Sequence, residues 1–207
     1  MNPNNTEYSL HTITPLGEVL SSSAYVNAFM KESYFFLDYS FGYDPSVNTV
    51  YYSGEHSPNQ FLFIIDFGKK ESHRMKLSMP TYFEPFGTYD NVNNIYYLLE
   101  SLENDVSNFT LYSYDLNTKS ENEPLTLKGF PGTTYSFLFS TNGQIYAASY
   151  NETEPTIMYI VYIDPTSSSA SVVYTFEDSI EFSIDYWFID NYFVKMTYDV
   201  ILMNFIW

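Results

Sequence analysis

Three stretches decide the fold: Phe61-Leu62-Phe63-Ile64-Ile65-Asp66, Phe109-Thr110-Leu111-Tyr112-Ser113-Tyr114-Asp115 and Met158-Tyr159-Ile160-Val161-Tyr162-Ile163-Asp164. Each is a run of β-branched, apolar and aromatic residues that ends in an aspartate. Such side chains suit a pleated, half-buried surface, so each run reads as a strand. The aspartates are evenly placed, with 49 residues from Asp66 to Asp115 and 49 more to Asp164. A fixed period of that length marks one supersecondary unit copied along the chain.

The pattern extends outward from these strands. Upstream, Asn48-Thr49-Val50-Tyr51-Tyr52 aligns with Asn93-Asn94-Ile95-Tyr96-Tyr97 and with Asn142-Gly143-Gln144-Ile145-Tyr146, each a turn followed by a strand. Earlier still come the aromatic runs Tyr34–Tyr39, Tyr82–Phe86 and Tyr135–Phe139. Downstream of each aspartate a polar turn leads to Met75–Leu77, Leu125–Leu127 and Val172–Tyr174. The spacing therefore predicts four short antiparallel strands per repeat, in about 45–50 residues.

A fourth repeat starts in the same way, with Phe182–Phe188, a turn at Ile189-Asp190-Asn191, and Tyr192–Met196. Its third strand, Val200–Trp207, ends the sequence, and Tyr8–Ile13 is the spare strand expected to complete its sheet. The repeats are expected at about 34–80, 81–130, 131–178 and 179–207, within one domain of residues 1–207.

In repeat length, strand order and the recurring Asn…Tyr…Asp rhythm, residues 34–207 resemble β-propeller repeat proteins in general. The resemblance implies an all-β fold of tandem four-stranded antiparallel blades. The same strands would also suit a β-sandwich or an incomplete propeller arc. The Gly-His and Trp-Asp pairs of tryptophan–aspartate repeats and the Gly-Gly doublet of kelch repeats do not occur, so no family's functional residues carry over.

Composition narrows the partners. Tyr and Phe number 22 and 18, far too aromatic for a disordered chain. The 25 acidic residues outweigh eight basic ones for a formal charge of -17, which repels phosphate backbones and anionic membranes. Neither nucleic acid nor a membrane is expected as a partner. With no cysteine, disulfides, thiol catalysis and zinc–thiolate sites are excluded. The opening Met1-Asn-Pro-Asn-Asn-Thr-Glu7 has no basic segment and no apolar core, so a cytoplasmic location is the expectation. Sequons at Asn4, Asn108 and Asn151 carry little weight without a signal peptide.

No catalytic, cofactor or metal residue stands out. Asp66, Asp115 and Asp164 read as turn caps, because equivalent positions on successive sheets lie too far apart to share one cation. His11, His56 and His73 show no metal-ligand spacing, and Gly132 and Gly143 belong to turns rather than to a phosphate loop. Asp185, Asp190 and Asp199, beside Tyr186 and Trp187, are the group most like a carbohydrate-active carboxylate site. The one charge anomaly is Lys69-Lys70-Glu71-Ser72-His73-Arg74-Met75-Lys76, which holds four of the eight basic residues. Lys69, Lys70, Arg74 and Lys76 are thus the candidate docking residues for an acidic partner.

The expectation is a binding or scaffold protein that presents loop surfaces to a protein or small ligand, as a monomer rather than a self-associating chain. The alternatives are a carboxylate-dependent carbohydrate-active enzyme and a fragment of a longer propeller.

Overall fold

A computed structural model describes residues 6–13, 19–28, 35–56, 59–79, 86–102, 105–131, 135–151 and 154–176. Every regular element among them is a β-strand, so the chain is all-β. It divides into two compact units, one of Met1–Leu37 with Phe41–Tyr82 and one of Asp38–Ser40 with Phe83–Trp207.

The first unit begins with a hairpin of β1 (Thr6–Ile13) and β2 (Val19–Ala28). A four-stranded antiparallel meander follows, β3 (Phe35–Asp44), β4 (Thr49–His56), β5 (Asn59–Asp66) and β6 (Glu71–Leu77). Phe41, Tyr52 and Phe63 stand side by side across three strands, their rings stacked at 5.5 and 5.0 Å. They belong to an apolar cluster with Val50, Ile65 and Phe67.

The second unit holds two more meanders. One is β7 (Phe86–Asp90), β8 (Ile95–Leu102) and β9 (Asp105–Asp115), with an outer position shared by β10 (Ser120–Glu121) and β11 (Leu125–Leu127). The other is β12 (Tyr135–Thr141), β13 (Gln144–Asn151), β14 (Glu154–Asp164) and β15 (Ser169–Phe176). Their shared core takes Tyr97, Leu99, Phe109, Leu111, Leu127 and Phe130 from the first stretch. Leu138, Ile145, Ala147, Val161, Ile163 and Ala170 come from the second. Side chains alternate between faces along a strand, so Tyr96, Leu98 and Glu100 lie on the opposite face of β8 from Tyr97 and Leu99.

Tandem four-stranded antiparallel sheets are what the period predicts, with two refinements. First, the opening strands run right up to the turn aspartates: β3 ends at Asp44 and β7 at Asp90. Second, the first repeat is offset by one residue from the other two in the sequence alignment. Thr49 faces Asp44 as Ile95 faces Asp90, so Asn48 is equivalent to Asn94 rather than Asn93. Backbone φ confirms it, at 56° for Asn48 and 58° for Asn94. The Asn93-Asn94 doublet hid the offset, and a one-residue slip reverses which face each side chain takes.

Tyr8–Ile13 lies in β1, whose partner is β2; the Val19–Ala28 strand went unread in the sequence. The expected fourth repeat, with Val200–Trp207 and the Asp185, Asp190 and Asp199 group, lies outside the described residues.

Candidate docking surface

Five of the hairpin turns share one construction. An aspartate closes the strand, and the fourth residue after it takes a left-handed conformation: Asp44 and Asn48, Asp66 and Lys70, Asp90 and Asn94, Asp115 and Lys119, Asp164 and Ser168. Left-handed backbone is disfavoured for side-chain-bearing residues, so something local must offset it. The carboxylate does so by accepting backbone N–H bonds inside the turn. Asp44 Oδ1 accepts from Ser46 N at 2.9 Å, Asp90 Oδ1 from Val92 N at 2.9 Å, and Asp115 Oδ1 from Asn117 N at 2.7 Å. Asp66 Oδ1 accepts from Lys69 N at 2.8 Å, and Asp164 Oδ1 from Thr166 N at 2.9 Å. Turn capping is therefore the role of Asp66, Asp115 and Asp164. The β12–β13 hairpin instead uses the two residues Asn142-Gly143, both at positive φ as a tight hairpin turn requires.

These bonds also fix the charges. Burial pushes the Asp66 carboxyl up, but the hydrogen bonds and charge of Lys69 outweigh it and hold the group below the usual range. The N–H groups of Thr118 and Asn117 lower Asp115, while the Ser167 hydroxyl and the Thr166 N–H lower Asp164.

In the first unit the capped turns come together. Asp44, Thr49, Asp66 and Glu71 face one another in successive strands, which puts the β3–β4 and β5–β6 turns at the same end of the sheet. Phe67 N donates to Asn48 O at 2.9 Å and ties one turn to the other. Tyr43 Oη donates to Asn48 Oδ1 at 2.7 Å, which fixes the tyrosine ring beside the turn. Two large apolar residues are displayed here, Tyr43 at 41% exposure and Val47 at 51%.

The four candidate docking residues lie on this turn and on the strand that leaves it. Lys69 and Lys70 are exposed in the β5–β6 turn, and Arg74 and Lys76 are exposed on β6, the outer strand of the sheet. Lys69 Nζ sits 2.9 Å from Asp66 Oδ2, a pairing that raises the lysine pKa. The Arg74 guanidinium lies 5.4 Å from the centre of the Phe61 ring, within cation–π range. His73 Nε2 is 3.6 Å from Glu71 Oε2. Among the described residues no group of His, Asp and Glu side chains is arranged to hold a metal ion.

Tyr43 and Val47 were missed in the sequence, although a signal existed. A valine between Ser46 and Asn48, within a turn, has no strand face to bury it. Glu100 gave no such signal. It is 3% exposed on β8, and neither carboxylate oxygen makes a hydrogen bond of good geometry. Burial raises its pKa, and the nearby Tyr112 hydroxyl opposes that only in part. Burial and the Glu100 charge together push the Tyr112 phenol up to about 12.

No protein-family model matches the chain, and no curated protein is similar to it in sequence. Among solved structures, it is similar to a chain of the crystal structure of a mitotic checkpoint complex, at 6% identity and a TM-score of 0.35. The match covers 72% of this chain and 42% of that one. A likeness that slight says nothing further about the protein.

Proposed function

We propose that this chain is a protein-binding module whose docking surface is the joined turn pair of the first unit, continued along β6. The observation that carries this reading is the placement of Tyr43 and Val47 beside Lys69 and Lys70 on turns that are bonded internally and to each other. Exposed apolar residues rimmed by charge are the usual make-up of a protein interface. Turns already held in shape lose little entropy on binding, so more of the contact energy appears as affinity.

Val47→Asp places a charge in the surface without touching a strand, and Lys70→Glu reverses a charge beside it. Affinity capture from cell extract would be compared for the wild-type chain and each variant. Proteins held by the wild type and lost from both variants support the reading. Identical captures from all three defeat it.

A further inference from the structure

Resting on that reading of the surface, a more specific partner chemistry follows. We propose that β6 receives an extended acidic segment of a partner protein, with carboxylates at alternate residues.

The register of β6 sets the spacing. Its seven residues pair with β5 without a bulge, from Asp66 facing Glu71 to Gln60 facing Leu77. Ser72, Arg74 and Lys76 therefore share one face, and Arg74 and Lys76 are about 6.6–6.8 Å apart along the strand. An extended partner has the same repeat, so its carboxylates at positions i and i+2 meet Arg74 and Lys76 in step. A helix does not match it, nor does a segment in which no two carboxylates are two residues apart.

The charge balance selects the partner. Asp66 to Lys76 holds four basic and two acidic residues, whereas the rest of the chain holds four basic and 23 acidic ones. An acidic segment is attracted here and repelled elsewhere, which fixes the site. Arg74 is pre-positioned over Phe61, whose ring in turn packs against Phe63 at 6.3 Å. Charged side chains along an outer strand, here Arg74 and Lys76, disfavour sheet-to-sheet pairing, so the contact runs through side chains rather than through an added backbone ladder.

The test uses two labelled peptides of equal composition, the alternating Glu-Thr-Glu-Val-Glu-Thr-Glu and a block peptide Glu-Glu-Thr-Thr-Glu-Glu-Val in which no two carboxylates are two residues apart, with fluorescence anisotropy at low and physiological salt. The alternating peptide should bind the full chain at least tenfold more tightly than the block peptide, and weaken as salt rises. Arg74→Glu with Lys76→Glu should abolish that preference, while Lys119→Glu with Lys128→Glu should leave it intact. Arg74→Gln with Lys76→Gln, checked for an unchanged melting midpoint, guards against loss of fold. Equal affinity for both peptides, no binding, or indifference to Arg74 and Lys76 would each overturn the proposal. A salt-sensitive dimer that the Arg74 and Lys76 changes disperse would overturn it too, by making a second copy the occupant. If the peptides fail while Val47→Asp still abolishes capture, the docking surface stands and only its acidic partner falls.

Discussion

Ser140 on β12 donates its hydroxyl to the carbonyl oxygen of Tyr89 on β7 at 2.5 Å. The bond joins the opening strands of two successive sheets, close to the turn end of each. A hydrogen bond of this kind contributes about 0.5–1.5 kcal/mol net. Ser140→Ala should therefore lower stability by roughly 1 kcal/mol. Urea denaturation would show this as a lower midpoint with an unchanged slope.

Gly87 on β7 sits where no side chain fits. A Cβ there would lie 2.6 Å from the Tyr96 hydroxyl oxygen and 2.8 Å from both the Cα and the carbonyl oxygen of Ser40. The Tyr96 hydroxyl donates to that same Ser40 carbonyl. Gly87→Ala must break this bond and move backbone, and overpacking of that sort costs about 1–3 kcal/mol. A variant that melts with the wild type would show that β7 has more room than the structure allows.

Acid should weaken the fold through its capped turns. Asp66, Asp115 and Asp164 have folded pKa values below the ordinary 3.8, so their ionised forms favour folding. That contribution is complete above 3.8 and is lost as the pH falls through the lower folded values. Melting midpoints of the wild type should drop steadily below about pH 4. Asp66→Asn, Asp115→Asn and Asp164→Asn combined should drop less over the same window.

Glu100 gives the opposite sign. Its folded pKa lies above the ordinary 4.5, so the folded chain holds that proton more tightly than the unfolded chain. Stability falls as the pH rises from 4.5 through the folded value, and the full cost is present beyond it. Glu100→Gln should therefore raise the melting midpoint at pH 8 and change it little at pH 4. Equal gains at both values would place the effect in packing rather than in ionisation.

The sheets were legible because their information is local. Asp66, Asp115 and Asp164 punctuate three strands at equal intervals, and each works through N–H groups two or three residues away. The offset of the first repeat from the other two was not legible. Asn93 and Asn94 are chemically alike, and only the backbone conformation tells which one turns the chain. The basic run on β6 could be read from charge alone. Its neighbours Tyr43 and Val47 join it only because Asp44 and Asp66 face Thr49 from either side, a placement made by strand pairing. Glu100 was hidden for a related reason, since nothing in Leu98-Leu99-Glu100 marks the side on which the acid is enclosed.

The even division of the second unit's core bears on how small a folded piece of this protein could be. Six buried side chains come from residues 97–130 and six from residues 138–170, and neither set covers itself. A single repeat released by a protease, or expressed alone, would carry a bare apolar sheet face into water. Repeat arrays draw their stability from interfaces between neighbours. The two repeats of the second unit thus stand or fall together, and removing either one would end in abrupt collapse of the other rather than gradual loss.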